Sequence, residues 1–164
     1  MRSFARGLFA TLLAIAFLAS AGAAHASGKH GKKIPKDKIP ETVRVNYGRA
    51  FGKAPIVSCY ESDLDGKTVY RIVSKQDKRK VKLLYTMGGV LEEMVEPLAD
   101  AQIPLPVIGS VAARFPRGKI LSAQRITRGK TVLYAVTVRQ LHQDYVEAYG
   151  PQGDVQEPAR RAGK

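Results

Sequence analysis

The sequence predicts an α+β fold made of two tandem helix-plus-antiparallel-sheet repeats, each α-β-β-β(-β), packed together. Three observations carry that expectation. Nine identities keep one offset of 64 residues: Ile39 with Ile103, Pro40 with Pro104, Val43 with Val107, Phe51 with Phe115, Ile56 with Ile120, Ser58 with Ser122, Tyr70 with Tyr134, Tyr85 with Tyr149 and Gly89 with Gly153. Most are large apolar residues or turn residues, the positions at which a duplicated structural unit keeps its identity. Within each copy the apolar spacing changes from helical to alternating after about a dozen residues, as a helix followed by strands requires. Finally, Cys59 is the single cysteine, so no intrachain disulfide can supplement a thin core, and the two copies must bury apolar surface against each other.

Residues 1–26 have the parts of a secretory signal: Arg2 and Arg6, an apolar run from Leu8 to Leu18, and Ala24-His25-Ala26 ahead of a cleavage point before Ser27. The apolar run is shorter than the ~20 residues of a membrane span, and no later stretch is apolar enough to span, so the chain reads as periplasmic or secreted. Residues 27–38 read as a disordered basic lead-in, with five lysines and one aspartate and no periodicity. The first repeat is assigned to 39–100, the second to 101–155, and 156–164 to a disordered basic tail.

In the first repeat Ile39-Pro40-Glu41 opens a helix, because a proline in the first turn lacks only an N–H that had no partner. Val43, Tyr47, Ala50 and Phe51 lie on one face, and Gly52 and Pro55 end the helix. Strands follow at Ile56–Ser62, Thr68–Ser74 and Lys80–Thr86. They are separated by Leu64-Asp65-Gly66, a hairpin signal, and by the charged turn Gln76–Arg79. Gly88-Gly89 leads to a short strand, Val90–Val95, and Glu96–Gln102 reads as a linker. The second repeat has a helix over Pro104–Phe115, strands at Lys119–Thr127, Thr131–Arg139 and Asp144–Gly150, a turn at Arg128-Gly129, and a fourth strand that is short or missing. Side chains alternate across a strand. Tyr70, Ile72, Tyr134, Val136, Val81, Leu83 and Tyr85 therefore share the helix side, and Arg71, Lys82, Leu84, Ala135 and Arg139 fall on the other. Both alternations are mixed on the first strand of each copy, which leaves its face open.

The Ile-Pro helix start, the Phe at the helix end, the Gly-Lys-Thr-Val-Tyr strand entry and the closing Gly resemble PepSY-like domains and their relatives with the fold of the β-lactamase-inhibitor protein. The residues are Ile39, Pro40, Phe51, Gly66, Lys67, Tyr70, Tyr85 and Gly89, then Ile103, Pro104, Phe115, Gly129, Lys130, Tyr134, Tyr149 and Gly153. The resemblance covers nearly all of 39–155. It implies a small exported domain, usually non-enzymatic, some of whose members bind or inhibit secreted enzymes. It carries the fold and not a target, since the inhibitor's target-contacting residues have no one-to-one match here and its disulfides are absent.

The residues offer no catalytic set. Cys59 with His142 is the one nucleophile–base pair that can be drawn, and nothing local supports it. His30 has no second ligand at metal spacing. Glu92-Glu93 reads as a charged edge segment, Asp63 and Asp65 as turn chemistry, and Met87-Gly88-Gly89 lacks the Lys-Ser/Thr of a phosphate loop. Neither a cofactor nor a metal is implied, and the chain reads as a non-enzyme. Lys and Arg number 27 against 14 Asp and Glu, a net charge of +13.

Two functions follow. One is a protein-binding, inhibitor-like module acting on a secreted or periplasmic enzyme through Arg71, Lys82, Leu84, Ala135 and Arg139, since apolar groups ringed by cations suit an interface. The other is adhesion to anionic envelope polymer or lipid through the basic tails, with Lys75, Lys78, Arg79 and Lys80 as anion contacts. Nucleic acid is disfavoured, because the tyrosines near these cations belong to the core. A third reading is a dimer cross-linked at Cys59.

Overall fold

The computed structural model describes residues 31–162; the signal-peptide assignment therefore lies outside the described residues. Two helices and nine strands follow one another as β1 (Lys32–Ile34), α1 (Glu41–Phe51), β2 (Ile56–Leu64), β3 (Lys67–Gln76), β4 (Arg79–Thr86), β5 (Leu91–Leu98), α2 (Leu105–Arg114), β6 (Lys119–Arg128), β7 (Thr131–Gln140), β8 (Gln143–Tyr149) and β9 (Val155–Arg161). All nine strands form one antiparallel sheet in sequence order.

This overturns the expected pair of packed helix-plus-sheet repeats. Strands hold 55% of the described residues and helices 20%, the short 3-10 turns at Lys36–Lys38 and Asp100–Gln102 included, so the molecule is dominated by its single sheet. The expected linker is where the difference arises. Glu96, Pro97 and Leu98 belong to β5 and pair with Arg125, Gln124 and Ala123 of β6. Two separate sheets would have left β5 and β6 as edges with rows of unpaired N–H and C=O groups, and joining them satisfies both rows. Pro97 read as a linker residue. It lies beyond Val95, the last β5 residue paired with β4, a place where a missing N–H is tolerated.

Other boundaries move for the same reason. The lead-in was expected to be disordered, yet Lys32, Lys33 and Ile34 pair with Glu61, Tyr60 and Cys59 of β2. The fourth strand of the second half was expected to be short or missing and its tail disordered, yet β9 runs seven residues and pairs with β8. The charge of both segments hid strands whose pairing is supplied by the neighbouring strands β2 and β8. The turn expected at Arg128-Gly129 falls instead at Gly129-Lys130, with Gly129 in the left-handed region at φ 56°.

Both helices lie on one face of the sheet. Under α1 the core comprises Ile39, Val43, Tyr47, Cys59, Tyr70, Ile72, Val81, Leu83 and Tyr85. Under α2 it comprises Ile103, Val107, Val111, Phe115, Ala123, Val136, Val138 and Tyr149. Residues matched by the 64-residue offset therefore occupy matched places within the one sheet. Bulges explain the strand whose face could not be read. Ser74 opposes Ile56 and Val73 opposes Ser58, so Val57 is an extra residue; Leu121 is the extra residue in β6. Beyond each bulge the alternation is out of step with the residues before it.

Candidate functional site

Directly opposed residues in antiparallel strands share a face, and that fixes what the helix-free side of the sheet presents. One row runs Lys33–Tyr60–Arg71–Leu84–Glu93 across β1 to β5. A second runs Ser58–Val73–Lys82–Val95–Ile126–Leu133 across β2 to β7. A third runs Pro97–Gln124–Ala135–Ala148–Glu157 across β5 to β9. Ile126, Leu133 and Ala135 form a buried cluster here with Val95 and Val146 packed against it. Neither helix covers this cluster; the sheet's own side chains shield it.

The five residues proposed for a binding face are thus on this side, in two groups. Arg71, Leu84 and Lys82 are neighbours on β3 and β4, with Arg71 opposite Leu84. Ala135 and Arg139 are on β7, three strands and about 14 Å from β4 at ~4.8 Å per strand. Ala135 is the centre of the apolar cluster. Arg139 lies on the rim, where it donates to both oxygens of Asp144 at 2.7 and 2.9 Å. That carboxyl is held below its ordinary range by the hydrogen bond from Arg139. Burial lowers the pKa of the Arg71 guanidinium, opposed by the nearby Glu93 carboxylate. Glu93 in turn accepts from Arg128 Nε at 2.6 Å. The expectation that Glu92-Glu93 marks a soluble edge fails: β5 is the central strand of nine, and Glu93 is a partly buried bridge between two arginines.

The four proposed anion contacts divide. Lys75 and Lys80 oppose one another at the end of the β3–β4 hairpin, on the helix-free side. Lys78 is in the turn with a positive φ of 67°. Arg79 belongs to the helix side, donating to Gln102 Oε1 at 3.1 Å.

Among the described residues no chemistry gathers elsewhere. Cys59 is fully buried under α1, and desolvation pushes its thiol up to about 11, so it is neither a nucleophile at neutral pH nor an accessible cross-link. His142 sits in the β7–β8 turn, five strands and roughly 24 Å from Cys59. Asp63 accepts from the Gly66 amide at 2.9 Å, an ordinary turn contact. Among the described residues no group of three or more His, Cys, Asp or Glu converges, and no helix is long and apolar enough to cross a membrane.

Sequence reasoning missed two features. Tyr60 stands on the helix-free face between Lys33 and Arg71, hidden by the bulge. Glu147 is buried under α2 where the first half has Leu83. Arg114 Nε donates to both of its oxygens at 2.8 Å, and Tyr149 Oη and the Ala159 amide also donate to it.

Solved structures share this architecture. A DUF2874 family protein from Bacteroides uniformis superposes with a TM-score of 0.63 at 16% identity, over 74% of this chain and 88% of its own. A BLIP-like protein from Bacteroides fragilis gives 0.60 at 11% identity, over 76% and 88%. A Bacteroides eggerthii protein, provisionally described as periplasmic, gives 0.61 at 15% identity, over 74% and 88%. The fold is BLIP-like. At these identities the likeness concerns fold alone. No family model matches the chain, nor does any curated protein, so the PepSY-like half of the expected resemblance gains no support.

Proposed function

We propose that the chain is a non-enzymatic, protein-binding module of the periplasm or extracellular space, and that it holds its partner on the helix-free sheet face. The observation that carries this reading is the presence of apolar side chains on the side without helices, Leu84 in one row and Ile126, Leu133 and Ala135 in the next two. Eight inter-strand steps of ~4.8 Å and strands of ~27 Å give a face of about 1,000 Å², which matches the ~800 Å² per partner of a standard interface. The setting of apolar residues among Arg71, Lys82, Arg128 and Arg139 resembles an interface core with a polar rim. The BLIP-like and periplasmic proteins of the same fold support the compartment and the role as a binder; inhibition of an enzyme is the narrower form of the same proposal. Adhesion through basic tails is weaker as a reading, because Lys32, Lys33, Arg160 and Arg161 are strand residues held in the sheet.

The test uses the exported chain as bait in an envelope extract, beside Leu84→Asp and Arg71→Glu variants whose circular dichroism matches the parent. A protein retained by the parent at high salt and lost by both variants is the expected result. Equal retention by both variants removes this face from consideration.

A further inference from the structure

The helix-free face has an uneven charge, which follows from register alone. On β1 to β4 the strand positions of this face carry Lys33, Lys67, Arg71, Lys75, Lys80 and Lys82; the neighbouring carboxylate is Glu93 of β5, which acts on Arg71 as well as on Arg128. Glu61, paired with Tyr70, is on the opposite side. On β5 to β9 every carboxylate of the face stands beside an arginine: Glu93 by Arg128 at 2.6 Å, Asp144 by Arg139 at 2.7 Å, and the buried Glu157 by Arg160 at 3.8 Å. The 64-residue correspondence shows that the first half carries more cations than the second, although Lys75 corresponds to the cation Arg139. Arg71 corresponds to Ala135, Lys82 to Val146 and Lys67 to Thr131. Glu93 and Glu157 are alike in both.

We infer that the partner presents an acidic protein segment and seats it on the β1–β4 half of this face. The inference rests on the sheet-face reading above and adds the partner's chemistry. Charge complementarity is its first support: like-signed surfaces are penalised and opposite ones are steered together. The spacing is the second. Lys80 and Lys82 are two residues apart on one strand, about 7 Å, the distance between alternate side chains of an extended chain. The third is what separates the cations. The partly exposed Tyr60 and Val73 share this half-face, and such side chains bury against apolar residues of a polypeptide but gain little from a phosphate or sulfate polymer. An acidic segment with interspersed apolar residues satisfies both sets.

The probe is a short soluble peptide of Glu and Leu in equal numbers, titrated into the nitrogen-15-labelled exported chain and read by amide shifts. Controls are the same peptide with Gln for Glu and a sulfated polysaccharide. The expected outcome is shifts at Tyr60, Arg71, Lys82 and Leu84, with affinity falling as salt shortens the screening length to ~8 Å at ~0.15 M. Replacing the exposed lysines together (Lys75→Glu, Lys80→Glu, Lys82→Glu) should weaken binding by about tenfold or more, and Arg139→Glu by less than about twofold. No shift at low salt, equal binding of the Gln peptide, or equal loss with Arg139→Glu overturns the proposal. So does tighter binding of the polysaccharide that ignores Leu84→Asp, which points to an anionic polymer. If an envelope protein is lost by Leu84→Asp yet kept by the triple lysine variant, the acidic segment is wrong while the face stands. If neither variant loses it, both readings fall.

Discussion

Glu147 has no solvent exposure in its side chain, whereas its partner Arg114 is half-exposed at 46%. The carboxylate is satisfied by Arg114, Tyr149 and the Ala159 amide together, so one deletion leaves several donors without an acceptor. Glu147→Ala should destabilise the fold by about 3 kcal/mol, read from urea unfolding. The double variant Glu147→Leu with Tyr149→Phe should cost less than Glu147→Ala, because it removes the buried carboxylate and hydroxyl together and the half-exposed Arg114 can turn to water, leaving the Ala159 amide as the one group that loses its acceptor. A larger loss for the double variant would show that the ion pair itself holds α2. On the α1 side, burial pushes the Tyr85 hydroxyl up to about 12, and the Cys59 thiol up to about 11. Both groups are neutral when protonated, and the unfolded chain ionises them at lower pH. Their contribution is therefore complete below pH ~9 and is lost as pH rises through about 11 to 12. The Tyr85 hydroxyl has no hydrogen-bond partner among the described residues. Tyr85→Phe should leave neutral stability unchanged or raise it by up to about 1 kcal/mol, and should delay alkaline unfolding. Unfolding midpoints from pH 7 to 12 check both statements.

Each helix is tied to the sheet by the loop that closes its half. Gly89 and Gly153 have φ of 81° and 83°, a region costly for residues with a Cβ. A Cβ on Gly89 would stand 2.7 Å from the Thr42 carbonyl oxygen, and one on Gly153 2.4 Å from that of Pro106. Both carbonyls are in the first turn of a helix, so each loop presses directly on a helix backbone. Asn46 adds a 2.9 Å bond from its amide to the Gly89 carbonyl. Gly89→Ala and Gly153→Ala should each cost about 2 kcal/mol or more, with the larger cost at Gly153, where the approach is closer. Melting temperatures of the two variants give the comparison. Most elements were legible because their signals are local: Asp65-Gly66 for a hairpin, Pro40 and Pro104 ahead of helices, alternation along β3, β4 and β7. The first strand of each half was not, because a one-residue bulge at Val57 or Leu121 moves the apolar set from one parity to the other. β1 and β9 were hidden by lysines and arginines, which local composition counts as disorder although neighbouring strands supply their pairing.

At the scale of the whole molecule the 64-residue correspondence is closer on one side of the sheet than on the other. The duplicated landmarks lie on the helix side, where Val43 and Val107, or Tyr85 and Tyr149, do the same packing work in both halves. The helix-free side differs between halves, with Lys67, Arg71 and Lys82 on one where the other has Thr131, Ala135 and Val146. Selection of packing residues accounts for the first pattern. The second pattern is the one that the proposed contact with a chemically uneven partner would leave. Of the proposed site, the membership of Arg71, Lys82, Leu84, Ala135 and Arg139 in one side followed from strand alternation. Their division into two groups, and the entry of Tyr60, Glu93 and Arg128 among them, required the register.

The sequence by itself determined the two helices, most of the strands, the side of β3, β4 and β7 that meets the helices, and the correspondence between halves, since each rests on periodicity or turn chemistry within a few residues. Only the tertiary structure decided that β5 and β6 pair. With that pairing, two expected units become one nine-stranded sheet with one continuous helix-free face. Edge-strand hydrogen bonds are satisfied by whichever strand lies alongside, and a distant partner leaves no mark on the local pattern of either strand.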